Sequence, residues 1–178
     1  MHFQTLLHLA ALTATTTTSA LKLSPRACGE TAAKVCFGRD GGEDQKLNAD
    51  DIEYATTFLR IMGENEGMAA MYHMPTPDFG CAEWLIEIPN GGDLLVLAKH
   101  YNGRVNSTIH FNDIANAIDG GGPDGTADMK KNSLADCGTS GGMIGVKTDA
   151  ANPVYNTPEY KAAKVKPEGI LIKLVKKP

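Results

Sequence analysis

The clearest periodic signal runs from Asn48 to Gly63. Asn48 is a helix N-cap type, Asp50 and Asp51 follow in the first turn, and Ile52, Ala55, Leu59 and Met62 recur on one face. This spacing predicts an amphipathic helix, ended by Gly63 or Gly67. The pattern then changes period. Met68 to Met74 reads as a strand, and from Cys81 to Ile88 the residues Ala82, Trp84, Ile86 and Ile88 alternate with Glu83, Leu85 and Glu87. That alternation predicts a half-buried strand with Trp84 facing the core. Pro89-Asn90-Gly91-Gly92 is turn chemistry, and the unbroken apolar run Leu94 to Ala98 is suited to a central strand, so the two should pair as a hairpin.

Phe111, Ile114, Ala115 and Ile118 return to helical spacing and predict a second short helix. The stretch Asp119 to Gly125, rich in glycine and proline, ends it, and the segment on to Cys137 is at best weakly helical. Gly142 to Lys147 reads as a strand, and Thr157-Pro158-Glu159 as the start of a turn or two of helix. At the end, Ile170, Ile172 and Leu174 alternate with Leu171, Lys173 and Val175 as a closing strand. The lysines there and just before, Lys164, Lys166, Lys173, Lys176 and Lys177, suit a solvated edge strand whose charges block sheet extension. Hairpin signals outnumber crossover signals. The expected fold class is α+β, a mainly antiparallel sheet packed against two or three short helices and stapled by disulfides.

Residues 1–20 change the compartment in which this domain is expected. An apolar run from Phe3 to Leu12, a Thr-rich stretch and the small-residue site Thr18-Ser19-Ala20 predict a secretory signal peptide cut after Ala20. The run is too short to span a bilayer. Residues 21–178 are then a single secreted globular domain, with 21–27 a frayed terminus. An even set of four cysteines, Cys28, Cys36, Cys81 and Cys137, agrees with an oxidising compartment and two disulfides. Three pairings are open, of which Cys28 with Cys36 and Cys81 with Cys137 is favoured. The wide cysteine spacings lack the close pairs of a zinc site, so neither metal nor cofactor is implied. A net charge of −4 without a basic cluster argues against DNA and anionic membranes. The chain is expected to be an extracellular monomer.

Candidate chemistry is sparse. Gly138-Thr139-Ser140-Gly141-Gly142 matches G-x-S-x-G and, with Cys137 before it, resembles the nucleophile loop of chymotrypsin-like proteases. Thr139 stands where that loop has its aspartate, and the adjoining Met143 to Val146 reads as a strand, so a flexible turn is the expectation. Asp119, Asp124 and Asp128 lack the ligand pattern of an EF-hand and read as a solvated loop. Asn106-Ser107-Thr108 is a glycosylation sequon with Asn106 the acceptor, and a glycan there would mark this loop as exposed. His100 and the set Met68, Met71 and Met74 are assigned to packing.

His73, Glu83 or Glu87, Arg104 and His110 could supply a base, a phosphate-binding cation and an acid. Tyr72-His73 and Glu83-Trp84, in this order, resemble the guanyl-specific fungal ribonucleases, in which a His, a Glu, an Arg and a second His sit on a sheet beside one helix. The whole profile resembles the small secreted proteins that fungi deploy outside the cell. Cys28, the helix before Cys81, the strand and helix running through Ile118, and the late glycine segment with Cys137 resemble the necrosis-inducing extracellular effector family, whose members form a killer-toxin-like α+β sandwich. That resemblance implies a noncatalytic effector or elicitor, a virulence or cell-death-inducing factor, which binds a host protein or cell-surface component. The alternative is a secreted ribonuclease or a degenerate ribonuclease-like binder using His73, Glu83, Arg104 and His110.

Overall fold

The computed structural model describes residues 28–76 and 80–178. The expected signal peptide and the stretch 21–27 lie outside the described residues. The chain runs through strand β1 (Val35–Cys36), helix α1 (Ala49–Gly63), strands β2 (Met71–Met74), β3 (Glu83–Ile86), β4 (Leu94–His100) and β5 (Ser107–His110), then helices α2 (Phe111–Asp119) and α3 (Ala127–Lys131). Strand β6 (Gly142–Gly145), helix α4 (Pro158–Ala162) and strand β7 (Ile170–Lys176) complete it. Five strands form one antiparallel sheet in the order β1-β6-β7-β4-β3, and β2 pairs with β5 in a separate antiparallel ribbon. The fold is α+β, as its patterning predicts.

The two main helices form where local chemistry places them. The Asn48 side chain accepts from the Asp50 N–H at 2.9 Å and caps α1, which ends at Gly63. Helix α2 closes on Gly120 in the left-handed region at φ 72°, where glycine alone avoids a Cβ clash. A Cβ there would stand 2.6 Å from the Lys130 Cα. Both helices lie on one face of the sheet. Ala55 and Leu59 of α1, with Ile114, Ala115 and Ile118 of α2, meet Val96, Ala98, Ile144, Ile172 and Leu174 in one continuous core. Burial of these side chains at roughly 25 cal/mol per Å² of apolar surface is the main force holding the layers together. A smaller cluster of Met71, Tyr155 and Tyr160 fixes the C-terminal segment to the other face of the β2–β5 ribbon.

Four expectations need correction. The closing strand is not at an edge: β7 lies between β4 and β6, and Ile170, Leu171, Ile172 and Leu174 are almost wholly buried. An apolar run on both faces fits a central strand, and the single interior charge, Lys173, is neutralised by carboxylates. Lys164, Lys166, Lys176 and Lys177 are exposed, flanking or ending the strand rather than guarding an edge. Among the described residues the edges are β1 and β3, and Trp84, on β3, is not a core residue. It sits opposite Ala98 but remains 41% exposed, because α1 packs on β4 and α2 on β7 while β3 lies beyond them. The segment Gly67–Ala70 is a short 3-10 helix, which shortens the strand before Pro75 to Met71–Met74.

The disulfides are the fourth. Cys28 bonds Cys81 and Cys36 bonds Cys137, in place of the favoured pairing. Strand β1 pairs with β6, so Cys36 falls beside Gly142 and against the turn that carries Cys137. Cys28 is thereby left for Cys81 at the start of β3. Both bridges join segments distant in sequence, 53 and 101 residues apart, a separation that local spacing does not reveal.

Candidate functional site

The ribbon of β2 and β5 brings two of the four ribonuclease-type residues onto one face. Met71 pairs with His110 and His73 with Thr108, so these side chains project to the same side, away from the core-facing Met74 and Ile109. Both imidazoles are engaged there. The exposed His73 donates from Nε2 to the Met68 carbonyl at 3.3 Å, and its Nδ1 accepts from the Thr108 hydroxyl at 3.0 Å. His110, 6% exposed, is the N-cap of α2: its Nδ1 accepts from the Asn112 N–H at 3.2 Å. That acceptance places the ring proton on Nε2, beside the Gly63 carbonyl. Burial lowers the His110 pKa, with Asp113 and the Gly63 carbonyl opposing the shift.

The other two residues lie elsewhere. Glu83, on β3, belongs to the outer face of the five-stranded sheet, where it pairs with Lys173. Glu30 joins the same cluster through Lys173 and, at 2.7 Å, Lys99. The N-terminal arm carries it there, held along β6 by the Gly145 N–H to the Ala32 carbonyl at 3.0 Å. Partial burial disfavours the charge on Glu30, but the two ammonium groups outweigh it and hold its carboxyl below the ordinary value. Glu87 lies just beyond β3 and is exposed. Arg104 is exposed in the loop between β4 and β5, its N–H bonded to the Asn102 side chain at 3.3 Å. The carboxylate and the two histidines therefore occupy different sheets and do not surround one phosphate-sized position.

A buried polar node carries almost no signature in the sequence. The Tyr155 hydroxyl accepts from the His110 N–H at 2.9 Å and donates to the Asp113 carboxylate, whose other oxygen accepts from the Asp149 N–H at 3.1 Å. Asp113 is 2% exposed, and burial raises its pKa even though Tyr155 and the Asp149 N–H stabilise the charged form. Tyr155 itself is pushed well above the usual tyrosine range by burial and by this carboxylate. Beside it, the Tyr160 hydroxyl donates to the Thr108 carbonyl at 2.9 Å. Together they fasten the segment around α4 to β5 and α2. The one hint along the chain is an Asp inside an otherwise apolar helical face.

The remaining motifs are structural. Ser140 lies in the turn before β6, where the Thr139 and Ser140 carbonyls accept from Leu47 and Gln45; the element after this turn is a strand, not the helix of a nucleophile elbow. Asp119 binds Arg60 through both oxygens, at 2.7 and 2.8 Å, and caps the N–H groups of Gly121 and Gly122. It does not converge with Asp124 and Asp128, and among the described residues no group of three or more His, Cys, Asp or Glu is placed to hold a metal. His100 is fully buried and donates from Nδ1 to the Gly80 carbonyl at 3.1 Å. Met71 and Met74 are packed in the two apolar clusters. Asn106 is half-buried: its Oδ1 accepts from the Thr76 N–H at 3.2 Å, and its carbonyl from the Lys166 N–H at 2.9 Å.

The β3 edge carries two of the large apolar side chains exposed among the described residues. Trp84 is 41% and Leu85 48% exposed, and they project to opposite faces of a strand whose outer edge pairs with no other strand among the described residues. Half-exposed Leu95 and Leu97 of β4 continue the apolar surface from Leu85 across the sheet. Among the described residues no helix is long and apolar enough to cross a membrane. Neither the models of known protein families, nor the curated proteins, nor the solved structures give a match to this chain.

Proposed function

We propose that the chain is a secreted, noncatalytic effector or elicitor of the kind that fungi deploy outside the cell, acting by binding a host or cell-surface protein through the β3 edge. The observation that carries this reading is an edge strand, among the described residues, that leaves a large apolar side chain exposed on each face, Trp84 on one and Leu85 on the other. Large apolar side chains there are an aggregation liability unless a partner covers them. Tryptophan is also the residue type most often found at the energetic centre of an interface. The occupant is an extended segment of the partner, which would add a strand to β3 through backbone hydrogen bonds while its side chains cover Trp84 and Leu85. Two disulfides support a domain that works in an oxidising, extracellular compartment.

Labelled mature protein titrated onto intact cells of candidate hosts tests this. Saturable binding should weaken roughly tenfold or more in Trp84→Ala, the loss expected of an interface hot spot. Equal binding by wild type and variant refutes the β3 edge as the contact surface. Hydrolysis of single-stranded RNA by the wild type, lost in both His73→Ala and His110→Ala, would install the ribonuclease reading instead.

A further inference from the structure

On the side of the sheet away from β3, α2, α3 and the segment leaving β6 enclose a cleft of ≈ 360 Å³. That volume falls at the low end of the roughly 300–1,000 Å³ of small-molecule sites. Its polar lining, largely solvent-exposed, leaves hydrogen-bonding groups available to a ligand. Asn116 uses its Oδ1 on Arg60 at 3.0 Å, which leaves its amide NH₂ as a donor. Asn132 uses its Nδ2 on the Asp128 carbonyl at 2.9 Å, which leaves its Oδ1 as an acceptor. Among the described residues no hydrogen bond or ion pair engages the Asp128 carboxylate, the Lys147 ammonium or the Thr148 hydroxyl.

The lining therefore offers both donors and acceptors, with the exposed Met129 side chain and the edges of the buried Ala117 and Ile144 as its apolar surface. A hydroxyl group both donates and accepts, and a sugar ring carries several beside an aliphatic C–H face. Charge narrows the class further. Asp113, Asp128 and Asp149 against Lys147 leave the lining net negative, which disfavours an anionic ligand.

We propose that this cleft binds an uncharged polyhydroxylated molecule of monosaccharide size. It is a second site, independent of whether the β3 edge engages a partner. The test is an amide-resolved NMR titration of the disulfide-intact mature chain with glucose, galactose, mannose and xylose, and with glucuronate as the anionic counterpart. At least one neutral sugar should saturate with a Kd in the millimolar range or tighter, shifting resonances of residues 113–120, 128–132 and 144–149 and leaving Trp84 unmoved. Asp128→Asn, an exposed change that keeps the side chain's shape, should weaken that sugar about fivefold through loss of a charge-assisted acceptor. Ala117→Leu, which fills the apolar patch, should abolish binding with the amide spectrum of the sheet preserved. The proposal is overturned if none of the four sugars shifts these residues, if the shifts map elsewhere, or if glucuronate binds as tightly as the neutral sugar.

Discussion

Replacing Tyr155 with phenylalanine removes a single oxygen yet disconnects two buried groups. The hydroxyl satisfies the His110 N–H and one oxygen of Asp113, and the three residues are 8%, 6% and 2% exposed. A hydrogen bond to a charged group contributes about 1.5–3 kcal/mol, and a buried N–H left without an acceptor costs a further 1–3 kcal/mol or so. With partial relaxation the expected loss is about 3 kcal/mol. Tyr160→Phe is the internal control, since it removes one neutral bond to the Thr108 carbonyl and should cost about 1 kcal/mol. For a domain of this size the melting temperature should fall by about 6–12 °C in the first variant and 2–4 °C in the second.

Urea unfolding followed by circular dichroism, with disulfides intact, measures both losses at an unchanged m-value. The deficit of Tyr155→Phe also has a pH signature. Asp113 has a raised folded pKa, so its contribution favours the folded state below its unfolded value and fades as pH rises through the folded value. The Tyr155 hydroxyl stabilises the charged carboxylate, so its removal should cost most above the folded pKa and progressively less in acid. Adding Asp113→Asn should recover about 1 kcal/mol relative to the sum of the single losses. A Tyr155→Phe loss equal to that of Tyr160→Phe, or independent of pH, would refute the account of this node.

The fold leads to three other expected outcomes. Graded reduction monitored by mass spectrometry should open Cys28–Cys81, whose Cys81 is exposed, before Cys36–Cys137, whose cysteines are 1% and 8% exposed; deleting either bridge should cost about 4–5 kcal/mol on the loop-entropy estimate. Gly120→Ala should destabilise by about 2–4 kcal/mol in thermal unfolding, because it combines left-handed backbone with a clash against Lys130, whereas Gly67→Ala, also left-handed but with open space at its Cβ, should cost only about 1 kcal/mol. Asp136 is held at about 2 by hydrogen bonds from Lys34 and Arg39, so its carboxyl resonance should titrate there; Lys34→Ala should move it back toward 3.8, and stability lost to acid through this group should appear only as pH falls from 3.8 toward about 2.

The amino-acid sequence by itself determined the elements whose causes are local. Asn48 and the Ile52-Ala55-Leu59 spacing make α1, Phe111 to Ile118 with Gly120 make α2, and the turn at Asn90 makes the β3–β4 hairpin. Caps, turn residues and 3.6-residue periodicity act within a few positions, so they can be read along the chain. Only the tertiary structure decided the lateral order of strands. Alternation along β3 and β7 defines two faces but carries no information on which strand stands beside which, and so Trp84 reads as core and Lys173 as edge. The same long-range pairing chose the disulfides, since β1 must lie against β6 before Cys36 can meet Cys137. It also decided the chemistry: His73 and His110 share a ribbon face while Glu83 joins Lys173 on another sheet, and Asp113 finds Tyr155 from a segment 42 residues away. Residue types say what a side chain can do, whereas convergence depends on contacts whose loop-closure cost the whole core has to offset.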